Sequence, residues 1–444
     1  MEEFEGLTRE ELVGMILELR GIVLALSKEV EELRSQLGGG GAGRVAPPWT
    51  KANRPERPKK DRKKRKKSFV RLRQTPTEIV YHAPQTCPDC GRPLSDGTVK
   101  WKRQVIEIPI MPVRVIEHRF IARRCGYCGK MHTAKADLSD HVIGKHRVGM
   151  NLMSLIAYLS TAGRMTKRTI QSFIKALYGL HLGLGEISEI LHTVAGCGTG
   201  EMNRLLALVR GSPYINADET GWREDGLNGY IWTFSTRDVR YFIHRKSRSG
   251  EIPRETIGDR YEGVVVTDCY AGYNGVLADR QVCWAHLARD LHKLKEQNAD
   301  DDPVISWADE VKSVYDRARE FRSKNPMKRR AHRILFEEEI SKLAEPCAGL
   351  QMPQGVLAKR FMDHLEELFM FVEYPEVPSE NNGAERALRP AVIARKVCGG
   401  TRSQKGSETK MTLMSLFGTW HIRGLDMLDS CRQMLTGRSV LFPA

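Results

Sequence analysis

At 444 residues the chain is too long for one ordinary core, and roughly two to four domains are expected. Its 70 Lys and Arg against 55 Asp and Glu leave a formal charge of +15, which favours a polyanionic partner and argues against an acidic one. No run of about 18 apolar residues is present, so no membrane-spanning helix is expected. The opening MEEFEGLTREEL is acidic and carries no cleavage pattern. A cytoplasmic, nucleoid-associated protein is the expectation, and in that reducing compartment close cysteine pairs read as metal ligands.

Residues 1–37 carry a heptad pattern. Leu12, Leu19, Leu26 and Leu33 fill one seam position, and Ile16, Val23, Val30 and Leu37 fill the other. β-Branched residues at one position and leucine at the other favour a two-stranded parallel coiled coil. The alternative is an amphipathic helix packed on its own domain. The strict 3.5-residue period and the GGGGAG that ends it lean toward self-association, so a homodimer or higher homo-oligomer is expected. Residues 38–73 form a basic Gly/Pro-rich linker that has too little to bury to fold alone. It is either a solvated tail or an arm that touches phosphate backbone without sequence preference.

Residues 74–140 hold two CxxC pairs, Cys87 with Cys90 and Cys125 with Cys128. Thiolates spaced in this way bite one Zn²⁺, and two pairs complete a closed tetrahedral site with no open position for catalysis. Structural zinc is therefore expected, with His132 as the nearby substitute ligand. VKWKRQVIEIP and VRVIEHRFIARRC, separated by IMP, predict a β-hairpin with a cysteine knuckle at each base.

Residues 141–210 read as helical. NLMSLIAYLSTAGRM, TKRTIQSFIKALYGL and EISEILHTVAG are three helices with breaks between them. With Lys167 and Arg168 at a helix start, they suggest a helix-turn-helix-like DNA-binding region, although the same pattern suits a plain bundle.

From 211 the pattern becomes α/β. YINADETGW, LNGYIWTFSTRD and VRYFIHRK predict three consecutive strands, with NG and RD at the turns. A helix over SGEIPRETIGDRYE, the buried strand VVVTD and a helix over QVCWAHLARDLHKLKE follow. Residues 299–375 predict a charged helical insertion, and a final segment, 376–444, completes the core begun at 211–298. Three antiparallel strands, a helix, then a parallel strand is the order of a ribonuclease H-like fold, in which the first and fourth strands are central neighbours.

Three carboxylates stand in recognisable settings: Asp218 in SPYINADETGW, Asp268 in GVVVTDCYAGYN and Glu385 in SENNGAERALRP. Asp218 and Asp268 end β-type runs, and Glu385 opens a basic, helix-prone stretch. Brought together, three such acids can hold two divalent ions of the kind that cut and rejoin phosphodiester bonds. Hard carboxylate oxygens suit Mg²⁺ or Mn²⁺. Glu219 points to the face opposite Asp218, by strand alternation. Glu380 is the rival to Glu385 but precedes a loop-like NN. Arg386, Arg389, Arg395 and Lys396 follow the third acid and either hold substrate phosphates or stay solvated. Pro390 is expected to interrupt their helix. Cys283 and His286 have the spacing of half a metal site, and His286 either meets a phosphate near the acids or packs in the core.

The motifs ADETGW at 217–222, TDCYAGY at 267–273, CWAHLARD at 283–290 and NNGAERALRPAVIARK at 381–396 resemble those of insertion-sequence-66 transposases of the DDE class. The resemblance covers nearly the whole chain. It departs at Val397, where many relatives carry Asn after the Arg-Lys pair. It implies a DNA transposase whose catalytic carboxylates are Asp218, Asp268 and Glu385. Its implied partners are the element's terminal repeats, target DNA and accessory proteins encoded beside it. Two readings compete: a ribonuclease H-like nuclease that cuts without integrating, and a former transposase that now only binds DNA.

Overall fold

The computed structural model describes residues 73–106, 113–135, 137–144, 146–258 and 260–440, plus four isolated helical positions at 14, 21, 23 and 25. The coiled coil expected over 1–37 and nearly all of the linker at 38–73 lie outside the described residues. The chain divides into two compact units, residues 1–107 and 108–444.

In the first unit the backbone folds tightly around Cys87. Its N–H donates to Arg92 O at 2.8 Å, and Gly91 N–H donates back to Cys87 O at 2.9 Å. The second unit opens on the same construction at Cys125, which donates to Lys130 O at 2.8 Å and accepts from Gly129 N–H at 2.9 Å. Gly91 and Gly129 take φ of +70° and +69°, a conformation that costs glycine nothing. The expected hairpin between VKWKRQVIEIP and VRVIEHRFIARRC is corrected here. Among the described residues the ladder is instead the short pair β1 (Ala122–Arg124) and β2 (Met131–Thr133), joined across the second knuckle. Among the described residues, Trp101, Val105 and Val115 of those stretches are all exposed. An uncovered two-stranded ribbon is marginal in water.

Four helices follow: α1 (Met150–Thr161), α2 (Lys167–Tyr178), α3 (Leu184–Cys197) and α4 (Thr199–Arg210). The last was not foreseen as a separate helix. The sheet then forms from β3 (Tyr214–Glu224), β4 (Leu227–Ser235) and β5 (Arg240–Arg245). After α5 (Glu251–Ile257) come β6 (Val264–Thr267) and β7 (Asp279–Val282). The order is β5-β4-β3-β6-β7. β4 runs antiparallel to both of its neighbours, β3 and β5, while β6 runs parallel to β3 and β7 runs parallel to β6. The first turn is not at NG. Asn228 and Gly229 lie inside β4, and the turn is Asp225-Gly226, with φ of +50° and +81°. Two successive positive φ values match the twist of a tight hairpin, and Asp-Gly supplies them readily.

Beyond the sheet lie α6 (Trp284–Gln297), α7 (Asp302–Glu320), α8 (Pro326–Ala344), α9 (Gly355–Asp363) and the short α10 (Met370–Glu373). The chain ends in α11 (Asn382–Cys398), α12 (Gln404–Ile422) and α13 (Met427–Leu435). The predicted interruption at Pro390 does not occur, because α11 is continuous through it. Ala387, Leu388, Ala391 and Ala394 pack with Trp222, Ile231 and Phe242 of the sheet, which holds both halves of the helix to one line.

Two large cores result. One joins α1–α4 to the other face of the sheet through Ile215, Ala217, Trp232 and Phe234, and to α12 through Leu416 and Trp420. The other is built on α6–α10 around Trp284, which stacks on Tyr315 with centroids 4.3 Å apart. No helix among the described residues is long and apolar enough to cross a membrane.

The second core also holds an acid. Burial pushes Glu337 on α8 up to about 7, with Arg333 offsetting and Glu366 and Glu373 adding to the rise. Between about 4.3, the unfolded value, and 7 the folded chain binds the extra proton, so this residue's contribution to stability falls as pH rises through that window. Glu337→Gln is expected to flatten that fall and to be the more stable protein above pH 7, by on the order of 1–2 kcal/mol after solvent screening. Urea unfolding at pH 5 and pH 8 checks it, and a difference that does not change with pH refutes it.

Candidate active site

The parallel ladder ends at the pair Asn216–Val266. Asp218 stands two residues beyond Asn216 on β3, and Asp268 stands two residues beyond Val266, just past the end of β6. Adjacent strands lie about 4.8 Å apart, so this register brings the two acids level with one another. Asp218 is paired across to Thr233 of β4. The third acid, Glu385, lies in the first turn of α11.

A buried amide pair sets the position of that helix. Asn216 Nδ2 donates to Asn381 Oδ1 at 3.0 Å, and Asn381 Nδ2 donates to Ala217 O at 2.7 Å. Asn381 N–H donates to Cys283 Sγ at 3.0 Å, and Glu385 N–H closes the first helical turn on Asn381 O at 3.2 Å. Gly383 permits the approach, since a Cβ there would stand 2.4 Å from Asn216 Oδ1. Asn381 thus fastens the start of α11 to the strand that carries Asp218. Neither Asn216 nor Asn381 was singled out from the sequence; the NNG before AER was the only signal.

The electrostatics follow from the crowding. Burial, then the charges of Glu219, Asp268 and Glu385, push Asp218 up to about 7. Its Oδ1 accepts from Glu219 N–H at 2.8 Å, which offsets the rise in part. Asp268 Oδ1 accepts from Tyr270 N–H at 3.0 Å. Glu219 does take the other face, but it is not idle. Arg248 Nε reaches its Oε1 at 2.8 Å and Tyr273 Oη donates to its Oε2 at 2.8 Å. Burial and the Glu219 carboxylate hold the Tyr273 pKa well above its usual value, so the hydroxyl stays a donor. The Arg248 guanidinium also lies 3.8 Å from the centre of the Tyr270 ring. Glu380 is turned to the helical core, where Tyr315 Oη reaches it at 3.4 Å.

The neighbouring candidates divide. His286 Nε2 is 3.8 Å from Glu385 Oε1, which puts this histidine beside the third acid, and its buried Nδ1 has no hydrogen-bond partner among the described residues. Burial raises the pKa of the Cys283 thiol, and the thiol is occupied by Asn381, which argues against Cys283 as a metal ligand. Arg386, Arg389 and Lys396 are exposed on α11. Arg395 turns back onto β3, where its Nη1 donates to Gly221 O and, at 3.3 Å, to Thr220 Oγ1. Lys167 Nζ donates to Ser188 Oγ at 2.7 Å, and Arg168 beside it is exposed.

Residues 145–409 match the family described as Transposase IS66 family, and residues 84–129 match the zinc-finger binding domain of transposase IS66. The chain belongs to the IS66 transposase family. Its similar proteins include the uncharacterized protein y4qI of Sinorhizobium fredii (strain NBRC 101917 / NGR234), 28% identical over 41% of this chain and 37% of that protein. Another is the uncharacterized protein y4hP of the same strain, 22% identical over 78% of this chain and 69% of that one. The chain thus spans little more than a third of the first relative's length.

The IS66 zinc-finger match supports structural zinc, and the two knuckles fit it from their own geometry. Hydrogen bonds from the backbone at Asp89 and Cys90 lower the pKa of Cys87, and those at Cys128 and Tyr127 lower that of Cys125. Both thiols are thereby biased toward the thiolate that binds metal. Among the described residues, no three His, Cys, Asp or Glu side chains stand close enough together to ligate one ion as they are placed.

Two outcomes are expected for this IS66 protein. Cys87→Ser lowers the zinc content of the purified chain and weakens DNA binding while leaving the unfolding transition of the second unit in place; unchanged zinc by elemental analysis refutes the ligand assignment. Asn381→Ala leaves Ala217 O and Asn216 unsatisfied and costs about 1–3 kcal/mol, read by chemical denaturation. A cost within error of zero refutes the clamp.

Proposed function

We propose that the chain binds the ends of an insertion sequence, cleaves DNA strands there and joins the 3′-OH ends to target DNA. The catalytic core is read as ribonuclease H-like, with Asp218, Asp268 and Glu385 as its DDE carboxylates. The observation that carries this reading is the level placement of Asp218 and Asp268 past the Asn216–Val266 pair, with Glu385 in the first turn of the helix whose start Asn381 fastens to β3. The raised Asp218 supports it as well, since a buried acid among like charges calls for a cationic counter-charge.

Asp218, Asp268 and Glu385 would hold two Mg²⁺ or Mn²⁺ ions, which when bound would activate the attacking oxygen and stabilise the leaving 3′ oxygen. The residues of the chain do the rest. Asn381 and Asn216 orient the helix that presents Glu385. Arg248 and Tyr273 hold Glu219 on the far face, so that its charge acts on Asp218 without entering the site. His286 lies on the open side of Glu385 and can donate to a phosphate oxygen. Arg386, Arg389 and Lys396 supply exposed positive charge along the helix that carries Glu385. No Tyr or Ser nucleophile is required, because the exposed 3′-OH takes the place of water in the joining step.

The heptads at 1–37 support a homodimer or larger assembly, which holding two DNA ends together requires. Accessory proteins of the same element belong to the same proposal, as does association with the nucleoid.

The test is a strand-transfer assay with the full chain, Mg²⁺ and labelled DNA taken from the borders of its own coding region. Nicking at 3′ ends and joining to a plasmid are expected. Asp218→Ala, Asp268→Ala and Glu385→Ala are each expected to abolish both steps, by at least about 10³-fold, while DNA binding persists. Full activity in any of the three variants sinks the assignment. Nicking without joining favours a plain nuclease, and binding without either step a former transposase.

A further inference from the structure

The helical insertion carries a cleft of about 540 Å³ at the junction of α7 and α8, lined by Arg319, Arg322, Ser323, Lys324, Arg329 and Ser379 among others. Its four cations have no carboxylate partner among the described residues, whereas Arg317 and Arg333 on the same two helices do. Internal bonds fix the loop that presents them. Arg322 Nη1 donates to Arg319 O and Phe321 O, both at 2.6 Å. Arg329 Nε donates to Glu373 O at 2.8 Å, and its Nη1 reaches Ser323 O and Lys324 O at 3.3 Å. Backbone carbonyls, not acids, thus hold the Arg322 and Arg329 side chains at the cleft.

The same place is electrostatically unfavourable for the empty fold. α8 is 19 residues long and has no acid in its first turn; Lys328, Arg329 and Arg330 crowd its positive end instead. Each such charge opposes the helix dipole by about 0.3–1 kcal/mol. Arg319 and Arg322 stand at and just past the C-terminal end of α7, and Lys324 and Arg329 flank the N-terminus of α8; gathered around a preformed cleft, these cations make a site for anionic oxygen.

The cleft adjoins the chain segment that leads to the acids. Ser379 Oγ meets Tyr315 Oη at 3.1 Å and Ser379 O accepts from Trp284 N–H at 3.0 Å, two residues before Asn381. Glu385 follows Ser379 by six residues (385 − 379). Six residues span at most ~20 Å, and duplex phosphates rise about 3.4 Å per nucleotide on one strand, so the cleft lies within about six nucleotides of a phosphate at Glu385.

We infer that this cleft binds the backbone phosphates of the DNA strand that leaves the carboxylate site, within about six nucleotides of the cut. The inference rests on the carboxylate site being the DNA-cutting centre, and it assigns the insertion a second grip on the same strand. The grip reads phosphate and not base, so it adds affinity without sequence preference.

The experiment uses the full chain and a border duplex with photoreactive groups on its backbone phosphates. Crosslinks to the peptide spanning 319–329 are expected, from phosphates within about six nucleotides of the nick. The triple variant Arg319→Ala/Arg322→Ala/Lys324→Ala is expected to lose them and to lower the slope of log affinity against log salt by about 2–3. All three side chains are exposed, so its unfolding transition should match the parent's. Arg319→Lys/Arg322→Lys, which keeps the charge, should retain the slope. Crosslinks confined to other peptides, or an unchanged slope, overturn the inference, as does a cleft that takes inorganic phosphate but never DNA. Failure of the proposed function reads differently, because it appears as nicking that survives the loss of Asp218, Asp268 or Glu385.

Discussion

The buried pairing of Asn216 with Asn381 is the interaction on which the candidate site depends. The two residues are 165 positions apart, and Asn381 adds a second buried bond from the start of α11 to β3 at Ala217 O. The parallel register of β3 and β6 aligns two acids by backbone alone, but nothing in the sheet dictates where a helix arriving after a long insertion must begin. The amide pair does. It satisfies a main-chain carbonyl of the central strand with a side chain from the helix start, and burying those groups in any other register would leave them unpaired at a cost of about 1–3 kcal/mol. Gly383 and the Cys283 thiol complete the fit by letting the backbone come close and by taking the remaining N–H.

Charge is distributed in opposition around this point. A chain with a surplus of 15 positive charges gathers four carboxylates, Asp218, Glu219, Asp268 and Glu385, into mutual electrostatic range. One of them is answered: Glu219 is held by Arg248 and Tyr273. Asp218 is not, and its proton affinity rises accordingly. The cations stand instead on α11 and along the α7–α8 cleft, clear of the acids. A negative centre flanked by positive surfaces suits a polyanion whose reacting atom needs metal and whose flanks need counter-charge.

Much of this was legible in the sequence where the signal was local. The apolar run of β6, the settings of the three acids and the CxxC spacings each announce themselves within a dozen residues. The misreadings have physical causes. Asn228-Gly229 has good turn chemistry, but Asp225-Gly226 has it too, and pairing Trp222 and Ile231 inward selects the latter. β7 was missed because two of its four residues are Arg280 and Gln281, whose burial depends on partners more than 80 positions away at Glu367 and Leu368. The hairpin expected across residues 99–125 has strand-like alternation, but its apolar residues are exposed among the described residues. Asn216 and Asn381 are ordinary polar residues until the fold brings them together, so no local pattern marks them.

The shared core of α1–α4 with the sheet and α12 bears on how such a protein can diversify. Met153, Ile156, Ile190 and Val194 are enclosed by the same cluster as Trp232, Phe234, Leu416 and Trp420. A helical segment that owned its core could be exchanged between related elements as a cassette, carrying a new DNA preference with it. This one cannot be lifted out without stripping the sheet's back face. Substitutions on the exposed surfaces of these helices are therefore the changes this region tolerates, while the buried faces of α1–α4 stay tied to the sheet that holds Asp218.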